Sequence, residues 1–241
     1  MSKIIIIPDV HGRKFWRSAL SWIQTTPIVF LGDYLDPYRD EGIDGEEAYE
    51  QLDEIIDFKK KYPESITLLL GNHDLHYLSD GFGGCRFDWR HAYENKALLW
   101  SNLDFFDVAY SIEDGHRQYL FTHAGVLREW YDDHFGITGK ETAKEIASRL
   151  NKQFHNDASR TRFMSALSEM TPLRGGTCLY GSPVWADVTE QNSQEAEFEG
   201  IYQIFGHTLM FNEIITPHWA CLDCREAFVL DFDTGTIRRL F

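Results

Sequence analysis

The stretch SITLLLGNHD, residues 65–74, decides how this chain is to be read. Ile66 and Leu68–Leu70 make a short apolar run, as expected of a strand buried on both faces. Gly71, Asn72, His73 and Asp74 follow without a break. Gly, Asn and Asp are ordinary turn residues. An amide, an imidazole and a carboxylate side by side at a strand tip can equally be part of a site.

The same pattern recurs on both sides. KIIIIP (3–8) is a continuous β-branched run followed by Asp9, His11 and Gly12. PIVFL (27–31) leads into GDYLD, with Gly32, Asp33 and Asp36. QYLFTHAGV (118–126) carries His123, and IYQIFGH (201–207) ends on His207. Between the first three strands the periodicity predicts helices. KFWRSALSWI (14–23) has helical spacing of Phe15, Ala19, Leu20 and Ile23; GEEAYEQLDEIIDFKKKY (45–62) has acids early and lysines late, which suits the helix dipole. Strand, helix, strand, helix, strand implies right-handed βαβ units and an α/β layered sheet.

Further on, residues 139–156 and 159–170 read as helices, and 171–188 as a long Gly- and Pro-containing loop. Residues 127–190 are therefore expected to form a helical and loop insertion over the site, within a single domain spanning 1–241. HWACLDCREAFVLDFDTGTIRRLF, from His218 to the end, reads as two or three antiparallel strands with an Asp-Thr-Gly hairpin turn.

Composition narrows the function. The chain has 241 residues, 43% hydrophobic, and a formal net charge of −15. Polyanions are repelled by such a balance, so neither nucleic-acid nor membrane binding is expected. KIIIIP is too short for a signal-peptide core or a membrane span. Four cysteines are too few for a disulfide scaffold, so a cytoplasmic protein with free thiols is expected, Cys221 and Cys224 included. The oligomeric state is left open.

In an open α/β sheet, ligands bind at the carboxyl ends of the strands. Five polar tips in order point to one crevice and a shared ligand, because buried imidazoles and carboxylates cost free energy unless paired or metal-bound. Asp, His and Asn donors without thiolates suit Mn²⁺, Fe or Zn²⁺. The donors are enough for two ions sharing a carboxylate, about 3.5–4 Å apart, a common arrangement for phosphate-ester hydrolysis. Two divalent ions against two carboxylates leave positive charge to receive a phosphate, despite the acidic chain.

The motifs DVHG (9–12), GDYLD (32–36), GNHD (71–74), THAG (122–125) and FGHT (205–208) resemble those of the calcineurin-like metallophosphoesterases, and within them the bacterial type of the phosphoprotein-phosphatase branch. The resemblance implies a four-layer αββα sandwich of two mixed sheets flanked by helices. It implies Asp9 and His11 on a first metal, Asp33 bridging, and Asn72, His123 and His207 on a second. It implies His73 as general acid, oriented by Asp36, and a metal-bridging hydroxide as nucleophile. The activity implied is that of a two-metal phosphomonoesterase of the Ser/Thr protein phosphatase type, with manganese first among the candidate metals. GNHDLHYL and THAGVLREW also resemble the symmetrical dinucleoside-tetraphosphate hydrolases, which makes hydrolysis of dinucleoside polyphosphates the alternative. A catalytically inactive binding module is the third reading. Pro37 stands where the branch carries a phosphate-binding arginine; Arg174 and Arg39 are the candidates to replace it.

Overall fold

The computed structural model describes residues 2–79, 84–115, 117–137, 139–192 and 198–240. Along the chain run β1 (Lys3–Ile7), β2 (Ile28–Phe30), helix α1 (Gly45–Lys61), β3 (Ile66–Leu69), α2 (Asn72–Leu78), α3 (Ala92–Ser101) and β4 (Phe106–Asp107). Then come β5 (Ala109–Glu113), β6 (Gln118–Thr122), α4 (Arg128–Phe135), α5 (Ala143–His155) and α6 (Asp157–Leu167). The last strands are β7 (Ile201–Phe205), β8 (Ile214–Ile215), β9 (Trp219–Cys221), β10 (Phe228–Asp231) and β11 (Thr236–Arg239). The chain divides into two compact units: one runs to Phe106 and resumes at Arg225, and the other is Asp107–Cys224. Each has a mixed sheet with helices against it. Among the described residues no helix is long and apolar enough to cross a membrane.

The first sheet has the order β11-β10-β1-β2-β3-β4. β1, β2 and β3 are parallel neighbours, whereas β10 runs antiparallel to β1. Ile4 to Ile7 are fully buried, as are Val29, Leu68 and Leu69. That is why the strands read as unbroken apolar runs. α1 begins where its sequence indicates: Asp44 and Glu47 form a reciprocal capping box, and Lys59–Lys61 close the last turn. The segment expected as an α-helix over 14–23 is instead a 3-10 helix, Phe15–Trp22. Its buried residues are Trp16 and Ala19, three apart, which is the period of a 3-10 helix.

The second sheet has the order β5-β6-β7-β9-β8. β6, β7 and β9 are parallel; β5 and β8 are antiparallel edges. α5 starts from a Thr142–Glu145 capping box and buries Ile146, Leu150 and Phe154. The expected antiparallel group near the end is split. β10 and β11 form the hairpin, but β9 joins the second sheet alongside β7.

Candidate active site

The parallel order of β1, β2 and β3 sends their carboxyl-end residues to one edge of the first sheet. The tips are tied together by backbone: His11 N donates to Asp33 O at 2.7 Å, and Gly12 N to Tyr34 O at 2.9 Å. Asp74 completes the fastening. Its carboxylate accepts from the amides of Asp33 (2.8 Å), Tyr34 (3.0 Å) and Gly71 (2.9 Å). Gly71 sits so close to Asp33 that a Cβ there would lie 2.1 Å from Asp33 Oδ1 and 2.5 Å from Asp33 N.

Asp9, His11, Asp33, Asp36, Asn72 and His73 are all buried in this unit. His11 Nδ1 donates to the Leu35 carbonyl at 2.7 Å, which leaves Nε2 as the unprotonated nitrogen of the neutral ring. Burial first, then the charges of His73 and Arg86, hold the His11 pKa well below its ordinary value, so the ring is a neutral donor. Asp33 is pushed well above the usual carboxylate range by burial and by the Asp9 and Asp74 charges. Its Oδ1 accepts from His73 N at 2.9 Å, and its Oδ2 lies 3.4 Å from His11 Nε2. His11, Asp33 and His73 each offer a ligand atom within 4.8 Å of the others.

His73 and Asp36 are a direct pair, Nδ1 to Oδ2 at 2.7 Å. Tyr77 donates its hydroxyl to Asp36 Oδ1, and His76 Nδ1 lies 3.5 Å from Oδ2. Burial alone would raise the Asp36 pKa, but hydrogen bonds from His73, His76 and Tyr77 bring it below the ordinary value. Burial lowers His73 to about 4, against the hydrogen bond and charge of Asp36, which raise it. Asp36 thus favours the protonated ring, but burial and the Arg86 charge outweigh it. Asp74 is raised by burial to about 7, against its three backbone donors.

A cation neighbours both imidazoles. Arg86 Nη2 lies 3.2 Å from His11 Nε2 and 3.0 Å from His73 Nε2, and Arg86 Nε donates to the Asp36 carbonyl at 3.2 Å. Its guanidinium covers the Tyr38 ring at 3.7 Å.

In the second unit, the tips of the parallel pair β6 and β7 carry the remaining histidines. His123 Nε2 and His207 Nδ1 are 3.1 Å apart, and Gly206 N donates to the His123 carbonyl at 2.8 Å. The edge of His207 meets the Trp185 ring at 5.7 Å. Arg174 lies in the same unit, Nε 2.9 Å from Asp187 and Nη2 bonded to the hydroxyl of Thr208, next to His207.

His11, Asp33, Asp36 and His207 all take left-handed φ values (45°, 54°, 56° and 66°), as does Arg86 (63°). Non-glycine residues held there concentrate at functional sites.

A family model described as calcineurin-like phosphoesterase matches residues 2–211. The chain belongs to that family. It is 27% identical over 111 residues (44% of this chain, 25% of the relative) to the serine/threonine-protein phosphatase PP2A-like PPG1 of Candida albicans. It is 31% identical over 86 residues (34% and 24%) to the serine/threonine-protein phosphatase 6 catalytic subunit of Caenorhabditis elegans. The chain thus spans about a quarter of the length of these curated relatives. Its fold is that of the cold-active protein-tyrosine phosphatase of a psychrophilic Shewanella: TM-score 0.59 at 15% identity, over 100% of this chain and 81% of the other.

For a calcineurin-like phosphoesterase the donors fit divalent ions. Burial raises Asp33, the crowding carboxylates of Asp9 and Asp74 raise it further, and a cation would offset both; His11 is already the neutral ligand form. Of the two arginines proposed from sequence, Arg174 neighbours Thr208, while Arg39 is exposed on the one-turn 3-10 helix Arg39–Glu41. Arg86 and Asp74 are the residues for which the sequence suggested no role. Arg86 lies in GGCRFDWRH (83–91), which has no periodicity and no motif, so no sequence signal marks it. Asp74 sits inside a motif, but its work is done on backbone amides that a sequence does not display.

Proposed function

We propose that the protein is a two-metal phosphomonoesterase acting on phosphoproteins. The observation that carries this reading is the His73–Asp36 pair at 2.7 Å, buried beside the His11 and Asp33 donors. Asp9 and His11 are proposed as ligands of one ion, Asp33 as the bridge, and Asn72, His123 and His207 as ligands of the other. Two divalent ions, manganese in the first instance, would supply Lewis-acid charge for the phosphoryl oxygens and for activation of water. A family match spanning residues 2–211 supports reading both units as parts of one phosphoesterase domain. The four free thiols support a reducing, cytoplasmic setting.

The protein's own groups do the rest. Asp36 holds Nδ1 of His73, so the transferable proton is on Nε2. A carboxylate on one side of an imidazole favours the cation, and an incoming phosphate dianion adds to that effect. The ring that is neutral in the free protein therefore takes up a proton with substrate and gives it to the leaving oxygen.

The test is a screen of manganese-reconstituted protein against phosphoserine, phosphothreonine and phosphotyrosine peptides, mononucleotides and dinucleoside polyphosphates. Turnover of phosphopeptides is expected. Strong turnover of a dinucleoside polyphosphate with none of any phosphopeptide would overturn the reading. No turnover at all would leave a binding module.

A further inference from the structure

Arg86 differs from Arg13 and Arg225, the other arginines against Tyr38. Arg13 and Arg225 share Glu41, at 2.6 Å and 2.9 Å. That carboxylate gives both an ion-pair partner beside the Tyr38 ring. Arg86 lies over the same ring, but among the described residues it has no carboxylate within ion-pair distance. Its partners are a carbonyl oxygen, two imidazole nitrogens and the Tyr38 π face. A half-buried guanidinium with no carboxylate in direct contact keeps donors that an incoming anion can satisfy.

Its anchoring divides into a fixed part and an exchangeable one. Nε on the Asp36 carbonyl and the ring contact with Tyr38 hold the side chain by its stem side. Nη2, the end toward His11 and His73, bonds only to imidazole lone pairs, which are the atoms that metal and proton would otherwise claim. A guanidinium has five donors in a planar fork, and among the described residues Nε and Nη2 are the nitrogens that bond to protein. The backbone of Arg86 is left-handed, and its Nη2 lies 3.0 Å from Nε2 of the acid His73. Beyond it lies a cavity of about 760 Å³ lined by Pro37, Arg39, Asp88, Trp89 and Arg90, open for the rest of a substrate.

We propose that Arg86 grips the non-bridging oxygens of the substrate's phosphoryl group and presents its ester oxygen to His73. This rests on the phosphatase reading and names the residue, remote from position 37, that supplies the phosphate grip.

The test is calorimetric titration of inorganic phosphate into manganese-reconstituted wild type, Arg86→Ala and Arg86→Lys, with metal content measured on each. Wild type is expected to bind phosphate. Arg86→Ala should keep its metals and bind about 10- to 100-fold more weakly, the worth of a charge-assisted hydrogen bond. Arg86→Lys should fall between, because it keeps the charge and loses the fork. Unchanged phosphate affinity in Arg86→Ala, no phosphate binding by wild type, or loss of metal from Arg86→Ala would each overturn the proposal. If Arg86→Ala does not fold, Arg86→Gln is titrated and judged by the same criteria. Wild type that binds phosphate but hydrolyses no phosphoester would sink the phosphatase reading alone, and the titration would still decide Arg86.

Discussion

Gly71→Ala should damage the site through a single methyl group. The backbone at Gly71 is extended (φ −100°, ψ 177°), so alanine meets no conformational barrier there. Space is the obstacle. The new Cβ would lie 2.1 Å from Asp33 Oδ1 and 2.5 Å from Asp33 N. Reaching even a tight 3.0 Å contact requires Asp33 Oδ1 to retreat by about 0.9 Å. Rotating the carboxylate alone is no remedy, because the backbone amide is also too near, and that amide is held by Asp74 at 2.8 Å. Overpacking of this kind costs roughly 1–3 kcal/mol. For a chain of this length each kcal/mol moves Tm by about 2–4 °C, so a fall of roughly 4–8 °C is expected for about 2 kcal/mol. A displacement near 1 Å at a reacting centre costs about 100-fold in rate. Thermal melting by circular dichroism, metal content and kcat/KM on a phosphopeptide measure the three effects. Gly71→Ala protein with Tm within 1 °C of wild type and kcat/KM within twofold would refute the argument, because Asp33 would then not be wedged against this backbone.

His73→Ala should lower kcat by about 100- to 10,000-fold with both metals retained, since it removes a proton donor rather than a ligand; loss of metal would make His73 a ligand. In the metal-free protein, His73 titrates near 4 when folded and near 6.5 when unfolded. The unfolded chain therefore takes the proton first, and stability should fall as pH drops from about 6.5 to about 4. Urea unfolding of wild type and His73→Gln at pH 7 and pH 5 tests this; an equal change in both would show that another group is responsible. Apparent Mn²⁺ affinity should weaken on acidification well above the ordinary carboxylate range, because the raised Asp33 group must lose its proton to bind. An Asp33→Asn variant whose Mn²⁺ affinity shows the same pH dependence as wild type would count against Asp33 as the group responsible. Tyr77→Phe removes a donor from Asp36 and should cost about 1 kcal/mol of stability with a smaller loss of kcat.

The parts of the fold visible in the sequence are those where one physical demand dominates. β1, β2 and β3 are buried on both faces, and a doubly buried strand leaves an apolar run that nothing else explains. α1 announces itself because its cap uses side chains, Asp44 and Glu47. The polar tips are visible because imidazoles and carboxylates are out of place after such strands. β5 is not visible: AYSIE is an edge strand, half-buried beyond Ala109, so its alternation is weak. Nor is the destination of β9, since pairing with β7 is a long-range choice that WAC does not encode locally. Arg86 is hidden for a related reason. Its place is set by Tyr38 and the Asp36 carbonyl, about fifty residues away in sequence.

These legible and hidden parts are connected through backbone strain. His11, Asp33, Asp36, His207 and Arg86 each hold a left-handed φ without being glycine, at a cost of about 1–3 kcal/mol apiece. Asp and His enter that region more readily than most residues, but they still prefer other conformations. In the first unit the offset comes from the isoleucines and leucines of β1–β3 and from Asp74, whose three accepted amides hold two tips in register. The apolar run before GNHD and the polar cluster within it are therefore one arrangement. The strands supply the stability that the tips spend in holding donors where chemistry needs them. Asp33→Gly would relieve the strain of one tip, but it would also remove a ligand and leave the buried His73 amide without its acceptor, so the tips cannot be relaxed without dismantling the site.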